Sequence, residues 1–381
     1  MKFNVSRTDL LRVLNALMKV ILKKNAIAVL ENVLVTQNGD TFTATSSSQE
    51  NTLVMPLALT MLEGDFQPFC INPNLVSSFI SALPEQPLTF EIDDKLTTAR
   101  ISYQGGEVQI TIQSAEDFPR TQPMNAPKVS FELPTDVLLS CCKDAAQSTD
   151  HNEIRPVMNA VCLDVTNEGV VFVSSDGRTL YKYVYSHGVP FLKSGAPTEL
   201  LLPGAVVSAL TAPFAGAETV LIQADNNGME IISGGTCFTI RTIEGKYPPY
   251  NMAIPTDNDY HIIMPVKALK ESISRVAVMA SIASCMVTLS CEKGQLYLSS
   301  IDLDFNHEAK ENLPLADVEN SCNLPDGYKI GMRYDNLRKM LDFVSSDNVR
   351  MEFGEPSRAI IMHDETTSPY TGLVMPLIVE A

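Results

Sequence analysis

Asp302 and Asp304, in the segment SSIDLDF, have the spacing of a candidate catalytic pair. Side chains two positions apart share one face of a strand, so these carboxylates could bind a metal ion or act on a glycosidic bond. A solvated strand edge gives the same pattern. Motifs of other enzyme classes are absent, since the sequence has no GxxxxGK[ST], GxGxxG, GxSxG or HExxH, and its five His are far apart. We therefore expect no catalytic residue and no cofactor, with an enzyme as the alternative class.

The eight Cys are scattered singly apart from the Cys141-Cys142 pair. There is no CxxC motif, and neither Cys285 nor Cys291 has a His at the spacing of a metal ligand. We expect all eight to be reduced and mostly buried, and we expect no metal site.

Length and composition predict a folded protein of two or three domains, since the chain has 381 residues, 45% of them hydrophobic and 19% charged. No apolar run reaches the roughly 18 residues of a membrane span, and the start MKFNVSRTDLL lacks the apolar segment of a signal peptide. These features predict a cytoplasmic protein. The net charge of −17 argues against a protein that grips nucleic acid with its whole surface.

The chain contains three similar units, and each unit is itself a tandem repeat. Each unit begins with a short strand of alternating polarity, a polar or Pro residue that starts a helix, and an amphipathic helix: FNVSRTDLLRVLNAL from Phe3, SFELPTDVLLSCCKDA from Ser130 and HIIMPVKALKESISRV from His261. Strand pairs with Gly-containing turns follow, at Asn38-Gly39, Glu168-Gly169 and Lys293-Gly294. The scheme then recurs with helix candidates at Asn72–Ala82, Pro203–Ala215 and Arg333–Ser345. Each unit thus reads β-α-β-β-β twice. Pro-rich joins divide the chain into three α+β domains at 1–127, 128–256 and 257–381.

Positive charge concentrates on the predicted helices. The six candidates, which also include Ser6–Lys24, Pro134–Ser148 and Pro265–Ala280, carry 12 Lys or Arg against 6 Asp or Glu. Solvent-exposed helix faces often carry such an excess of Lys and Arg. The alternative is that the helices face a polyanion, since sequence-independent DNA binding is mostly phosphate contact by Lys and Arg.

Three segments in this order, SSDGRTL (174–180), FTIRTIEGKYPPYNMAIP (238–255) and LVMPL (373–377), resemble those of the bacterial DNA sliding clamp family, the beta subunit of the replicative DNA polymerase. The resemblance covers the whole chain. It implies a DNA clamp fold, in which two three-domain subunits form a head-to-tail homodimer with helices lining a ring and sheets outside. The implied function is non-catalytic: the ring encircles duplex DNA and tethers the replicative polymerase, which confers processivity in DNA replication. A separate clamp loader is expected because this chain has no nucleotide-binding loop.

The family's pocket for short linear peptides of polymerases and other partners maps onto separated segments. In SSDGRTL the order Arg178-Thr179 departs from the family's usual His/Tyr-Arg, and Met252-Ala253 gives a less charged rim. LVMPL also occurs at Leu53–Leu57, and only the resemblance favours the later copy. The residues implied are Met158, Ser175, Gly177, Arg178, Thr179, Leu180, Pro248, Met252, Ala253, Ser357, Ala359, Leu373, Val374, Met375, Pro376 and Leu377.

The resemblance also implies DNA contacts and a subunit interface. The positions that match the family's DNA contacts are Lys24, His151, Asn152 and Arg155. Further DNA-binding candidates are the basic residues of the predicted helices, Lys19, Lys23, Lys267, Lys270, Arg275, Arg338 and Lys339. Interface candidates are Val108 and Ile110, facing Val278 and Met279 of the second subunit. The alternative function is a repeat-built β-rich scaffold that binds proteins without encircling DNA.

Overall fold

The computed structural model describes residues 1–119, 124, 126–150, 152, 154–365 and 369–379. It separates into two compact units. Unit 1 comprises Met1–Ser140 and Pro190–Ile243, and unit 2 comprises Cys141–Val189 and Glu244–Ala381. The three-domain division expected from the repeats stays a prediction.

The strands are antiparallel where paired. The first ten are β1 (Lys2–Ser6), β2 (Val33–Asn38), β3 (Thr41–Ser47), β4 (Asn51–Pro56), β5 (Leu59–Glu63), β6 (Phe69–Ile71), β7 (Pro87–Ile92), β8 (Thr98–Tyr103), β9 (Gly106–Thr111) and β10 (Gln113–Ser114). The next nine are β11 (Val129–Pro134), β12 (Ala160–Val165), β13 (Gly169–Ser175), β14 (Thr179–Ser186), β15 (Leu192–Gly195), β16 (Thr198–Pro203), β17 (Thr219–Ala224), β18 (Gly228–Ser233) and β19 (Thr236–Arg241). The last eight are β20 (Tyr260–Pro265), β21 (Met286–Glu292), β22 (Gln295–Asp302), β23 (His307–Leu313), β24 (Lys329–Arg333), β25 (Asn348–Phe353), β26 (Ile360–Asp364) and β27 (Tyr370–Val374).

The α-helices are shorter than the sequence predicts. They are α1 (Arg7–Leu17), α2 (Pro73–Ser81), α3 (Thr135–Ala146), α4 (Val266–Val276) and α5 (Tyr334–Leu341). Ser6 caps α1 by accepting a hydrogen bond from Asp9 N at 3.3 Å. The helix ends at Leu17, where Val20 N donates to Leu17 O in a tighter turn. Three predicted helix lysines, Lys19, Lys23 and Lys24, therefore lie in the exposed segment beyond α1.

The predicted α-helix at Pro203–Ala215 is wrong. The structure has a 3₁₀ helix at Gly204–Ala209, followed by turns to Gly216. Pro213 is the physical reason, because it has no N–H to donate to the carbonyl of Ala209 four residues earlier, and its ring clashes with a helical turn there. The β-branched pair Val206-Val207 further lowers the helix propensity.

Unit 1 contains two sheets. The five-stranded sheet has the order β5-β1-β7-β8-β9, and the ten-stranded sheet has the order β10-β6-β2-β3-β4-β19-β18-β17-β11-β15. In the larger sheet β4 pairs with β19, so a strand from the first repeat is bonded to one from the second, with Leu53 opposite Phe238.

Unit 2 also has a larger and a smaller sheet, and its larger sheet also joins strands of two repeats. Seven of its strands follow in the order β12-β13-β14-β27-β26-β25-β20, and a four-stranded sheet has the order β23-β22-β21-β24. Here β14 pairs with β27, with Tyr181 opposite Gly372. Below this pairing, the rings of Tyr181, Phe343 and Tyr370 contact one another at centroid distances of 5.1–6.0 Å. The junction between repeats is thus a continuous ladder over an aromatic core.

The candidate carboxylate pair does not form. β22 ends at Asp302, whose buried carboxylate accepts hydrogen bonds from the backbone N–H of Asp304 at 3.0 Å and of Phe305 at 3.3 Å. Asp304 lies in the turn that Asp302 stabilises, so the two carboxylates do not share a strand face. Within the described ranges, no group of three or more His, Cys, Asp or Glu is placed to hold a metal ion. Among the same residues, no helix has the length and apolarity required to span a membrane.

Candidate functional site

The turn between β13 and β14 is held by one carboxylate. Asp176 Oδ1 accepts hydrogen bonds from Arg178 N at 2.8 Å and Thr179 N at 2.7 Å. Its Oδ2 accepts from the Thr179 hydroxyl at 3.0 Å and from Lys339 Nζ of α5 at 3.1 Å. Gly177, at φ +81°, supplies the left-handed residue that such a turn needs. The altered Arg178-Thr179 order thus places a threonine where both its N–H and its hydroxyl bond to Asp176.

Asp176 is ionised in this setting. Burial acts to raise its pKa, but the N–H groups of Thr179 and Arg178 and the ammonium of Lys339 outweigh burial, so the pKa of Asp176 is lowered from its ordinary value. The Asp176 and Lys339 side chains are 23% and 20% exposed, respectively. Solvent therefore screens this ion pair only partly.

The paired strands bring the turn and the LVMPL tail together. Thr179 lies opposite Val374 and Leu180 opposite Leu373. Beyond the end of β27, Met375 N donates to Arg178 O at 2.8 Å. Leu373 and Val374 are buried in the sheet, whereas Met375 is 42% exposed. The accessible apolar part of the tail is therefore Met375 and the half-buried Pro376 and Leu377.

The tail is fixed at its far side by Gly331 of β24. Leu377 N donates to Gly331 O at 2.8 Å. A Cβ at residue 331 would lie 2.9 Å from Val379 Cγ2 and 3.0 Å from Leu377 O, so only glycine leaves room for the tail. The sequence alone gave no signal for this contact.

The segment 247–253 is fixed to the same sheet by side-chain hydrogen bonds of Tyr250 and Asn251, which the sequence reasoning missed. Tyr250 OH donates to Asp164 Oδ2 of β12 at 2.7 Å, and Lys182 Nζ of β14 donates to Asn251 Oδ1 at 3.2 Å. Burial and the Asp164 carboxylate raise the pKa of Tyr250. The tyrosines of YPPY were the available signal. Met252, by contrast, is 85% exposed, and its neighbours Pro248 and Ala253 are also exposed.

The remaining predicted pocket residues differ in exposure. Ser357 is exposed in the turn before β26, and Ala359, next to β26, is buried. Met158 is buried in the 3₁₀ helix Pro156–Asn159. Ser175 is half-buried, and its hydroxyl donates to Thr179 O at 2.8 Å. Hydrogen bonding brings together the turn, the tail and β26, since β27 lies between β14 and β26.

The other LVMPL copy lies in the core of unit 1. Leu53 and Met55 are fully buried and Leu57 is 5% exposed, because β4 is paired on both sides, with β3 and with β19. The two copies thus have the same sequence but different environments: Val54 and Pro56 of the first are half-buried, whereas Met375 of the second is exposed.

The DNA-binding candidates form two groups. Those in the first group are exposed: Lys19, Lys23, Lys24, Asn152, Arg155, Lys267 and Arg338. Three others have acidic partners: Lys270 contacts Asp342 at 2.8 Å, Arg275 contacts Glu311 at 2.7 Å, and Lys339 contacts Asp176. His151 lies outside the described residues. In the described residues, the α-helices carry eight Lys or Arg and five Asp or Glu, so they remain positive in an acidic chain.

Two of the four interface candidates lie on an edge strand, and the other two lie in a 3₁₀ helix. Val108 and Ile110 are on β9, the last strand of the five-stranded sheet of unit 1. Val278 and Met279 are in the 3₁₀ helix Ala277–Met279 of unit 2 and are 72% and 37% exposed. The outer strand of the four-stranded sheet in unit 2 is β23.

Known proteins resemble this chain over its whole length. Residues 1–122 match the family model of the DNA polymerase III beta subunit, N-terminal domain, and residues 251–378 match that of its C-terminal domain. The beta sliding clamp of Treponema pallidum is 24% identical, covering 100% of both chains, and that of Escherichia coli K12 is 23% identical over 99% of this chain and 100% of its own.

Solved structures share the fold. A sliding clamp from Pseudomonas aeruginosa, crystallised with griselimycin, has a TM-score of 0.90 at 19% identity, and the DNA polymerase III beta subunit of Thermotoga maritima has 0.88 at 18%, each covering 100% of both chains. The chain has the DNA clamp fold of the α+β class. Since the two family models together span most of its length, the chain belongs to the DNA polymerase III beta subunit family.

Proposed function

We propose that this protein is a sliding clamp that encircles duplex DNA as a homodimer and tethers the replicative DNA polymerase. The observation that carries the proposal is the full-length match in fold and sequence to proteins named beta sliding clamp. The protein acts as a processivity subunit and has no catalysis of its own. We place its work in the cytoplasm, with loading done by a separate ATP-driven clamp loader.

The three-domain division supports the homodimer. The division we propose is 1–127, 128–256 and 257–381, and the family-model matches at residues 1–122 and 251–378 support the first and the last of these domains. Each described unit contains one repeat-to-repeat strand pairing. Two chains closing head to tail through the remaining edges would give a ring of six similar domains.

Duplex DNA is expected to meet the positive residues without sequence preference. Lys19, Lys23 and Lys24 form an exposed basic segment after α1, and Lys267 and Arg338 lie exposed on α4 and α5. Phosphate contacts of this kind give binding that weakens as salt rises.

Partner proteins are expected to dock short apolar motifs near the β13–β14 turn. The turn is fixed by Asp176 and Lys339, while Met252 and Met375 remain accessible. Methionine adapts to different side chains, which suits one site that serves polymerase, clamp loader and other proteins.

Retention on DNA tests the proposal. The clamp, loaded by a clamp-loader complex, should stay on a nicked circular plasmid during gel filtration and should be lost after the plasmid is cut once. Equal retention on both DNA forms would indicate ordinary DNA binding. Absence of retention, together with binding of an apolar docking peptide, would favour the alternative function of a protein-binding scaffold.

A further inference from the structure

We propose that the cavity beside the β4–β19 pairing of unit 1 is a second docking site, which takes a peptide with a Leu-sized apolar side chain next to a carboxylate. Its lining comes from the segment beyond α1, the β3–β4 hairpin, β19, and the 3₁₀ helix Gly204–Ala209 with the proline before it. All of these residues lie in unit 1. The site is therefore separate from the one proposed near the β13–β14 turn, and it does not depend on the proposed ring.

The two strand pairings that join repeats are equivalent. Leu53 lies opposite Phe238 in unit 1, and Tyr181 lies opposite Gly372 in unit 2. In both pairings the first strand follows a short turn, and the second strand is the last one of its repeat. Residues at the same distance from these two pairs can therefore be compared.

The backbone hydrogen bonds also match beyond the last paired residues. In unit 1, Arg241 N donates to Glu50 O at 3.2 Å. In unit 2, Met375 N donates to Arg178 O at 2.8 Å. Both bonds lie three residues from the compared pairs, so Arg241 occupies the position that Met375 has in unit 2.

The contact that fixes the tail in unit 2 has a counterpart in unit 1. Ile243 N donates to Leu201 O at 3.0 Å, just as Leu377 N donates to Gly331 O at 2.8 Å. Leu201 and Gly331 each lie three residues before the first residue of a helix, the 3₁₀ helix of the cavity or α5. The chain after the β4–β19 pairing therefore corresponds to the tail after the β14–β27 pairing.

The cavity beside this segment has a volume of about 240 Å³ and a mostly apolar lining. Among the lining residues, Phe238 is fully buried and Val20 and Ala209 are nearly so, whereas Leu22 is 53% exposed. The apolar lining thus extends from the core of unit 1 to its surface. Pockets for drug-sized ligands measure about 300–1,000 Å³, so this cavity has the size for one or two side chains of a peptide.

Charge on the lining favours an acidic peptide. The charged lining residues are Lys19, Arg241 and Glu50, so cations outnumber anions there although the chain has a net charge of −17. Lys19 is exposed, and Lys23 and Lys24 extend the positive charge along the same segment. A carboxylate next to the bound apolar side chain would form a charge-assisted hydrogen bond with such a cation.

The apolar part of the lining distinguishes a peptide from DNA. Phosphate contact involves the cations alone and does not use the cavity. A peptide with both an apolar and an acidic side chain uses the whole lining. It also differs from the ligand expected in unit 2, where the position of Arg241 is occupied by the uncharged Met375.

Fluorescence anisotropy with the full-length protein tests the site. The probe is the labelled peptide Ser-Gly-Leu-Glu-Asp-Gly, and the matched peptide Ser-Gly-Leu-Lys-Lys-Gly differs from it only in charge. Three variants alter the cavity: Leu22→Asp changes its exposed apolar residue, Ala209→Leu fills it and Lys19→Glu reverses a charge. Met375→Ala reports the alternative, in which the peptide binds beside the β13–β14 turn. Circular dichroism checks folding.

We expect the acidic peptide to bind more tightly than the basic one. Leu22→Asp and Ala209→Leu should weaken binding of the acidic peptide at least tenfold, because the burial of one Leu side chain is lost. Lys19→Glu should weaken it about two- to tenfold, because an exposed ion pair is replaced by repulsion. If Ala209→Leu does not fold, the exposed Leu22→Asp decides alone.

Absence of binding by the folded unsubstituted protein overturns the proposal. Binding that is lost in Met375→Ala and kept in Leu22→Asp also overturns it, because the peptide then docks in unit 2. Equal affinity for the two peptides overturns the acidic ligand. A Lys19→Glu variant that reduces retention on circular DNA and leaves peptide affinity unchanged assigns this lysine to DNA and overturns its role here. None of these outcomes contradicts the proposed clamp function, which retention of the unsubstituted protein on circular DNA tests separately.

Discussion

Replacing Asp176 by Asn is expected to loosen the β13–β14 turn and to weaken peptide docking beside it. Asn keeps one acceptor for the N–H groups of Arg178 and Thr179. Its amide NH₂ would occupy the place of Oδ2, which now accepts from the Thr179 hydroxyl and from Lys339 Nζ. Donors would then face donors, and the partly buried ammonium would lose its counter-charge.

Hydrogen bonds to charged groups contribute about 1.5–3 kcal/mol each, and exposure of about a fifth of both side chains reduces this. We therefore expect the free energy of unfolding of unit 2 to fall by about 1–3 kcal/mol at pH 7. The pKa of Asp176 is lowered in the folded state, so its contribution is present above the unfolded pKa, about 3.9, and is lost as pH falls through the folded pKa. The difference between wild type and Asp176→Asn should shrink below about pH 4.

Urea unfolding between pH 3.5 and pH 7 and fluorescence anisotropy of an apolar docking peptide measure the two effects. The matched control is Asp225→Asn in unit 1. Asp225 Oδ1 holds the β17–β18 turn through the N–H groups of Asn227 at 2.8 Å and Gly228 at 3.0 Å. Lys339→Met, alone and combined with Asp176→Asn, gives the coupling energy of the ion pair.

Equal unfolding midpoints and equal peptide affinities for the Asp176 and Asp225 variants would refute the reasoning. A zero coupling energy with Lys339 would show that the ion pair does not hold the turn.

Three further predictions concern the tail and its surroundings. Gly331→Ala should displace the tail and lower peptide affinity severalfold while leaving retention on circular DNA unchanged; unchanged affinity would contradict the tail contact. Tyr250→Phe should cost about 1.5–3 kcal/mol of stability by urea unfolding, because one hydrogen bond to the Asp164 carboxylate is lost, and an unchanged midpoint would count against it. Leu53→Ala should cost about 2–5 kcal/mol because Leu53 is fully buried, whereas Met375→Ala should lower peptide affinity with little change in stability. A loss of peptide affinity in Leu53→Ala, with a loss of stability in Met375→Ala, would show that the first LVMPL copy binds the peptide and that the second belongs to the core.

Local signals in the sequence predicted much of the fold. The hairpin turns at Asn38-Gly39 and Lys293-Gly294 form as expected, and Gly39 and Gly294 have positive φ. The Asn72 cap followed by Pro73 starts α2. The failure at Pro203–Ala215 has a local cause too, because Pro213 has no N–H for the carbonyl of Ala209 and so disfavours a continuous α-helix.

Long-range partners were beyond sequence reasoning. The positive charge of Lys339 on a predicted helix suggests a DNA contact, yet its ammonium lies 3.1 Å from Asp176, 163 residues earlier in the chain. No local periodicity encodes such a pair, or the fit of the tail against Gly331. The two LVMPL copies also show that local sequence does not determine the environment of a segment. The first copy lies in and next to β4, which pairs with a strand on each side, whereas the last three residues of the second copy lie beyond the end of β27.

One position explains why the two internal junctions differ. Lys339 is the sixth residue of α5, and Ala209 is the sixth residue of the 3₁₀ helix Gly204–Ala209, which occupies the corresponding place in the central repeat. In unit 2 the lysine reaches the turn and fixes it. In unit 1 the alanine is too short, and a cavity of about 240 Å³ remains, lined by Ala209, Leu22 and the turn residue Glu50.

A turn fixed before binding loses less conformational freedom when a peptide docks, so more of the contact energy appears as affinity. The junction in unit 2 has both the fixed turn and, in Met375, an accessible apolar side chain immediately beyond it. At the matching position unit 1 has Arg241, whose side chain is charged. The same strand pairing is therefore used twice, but of the two junctions the one in unit 2 has a turn tied to the neighbouring helix by the Asp176–Lys339 ion pair and the exposed Met375 beside it.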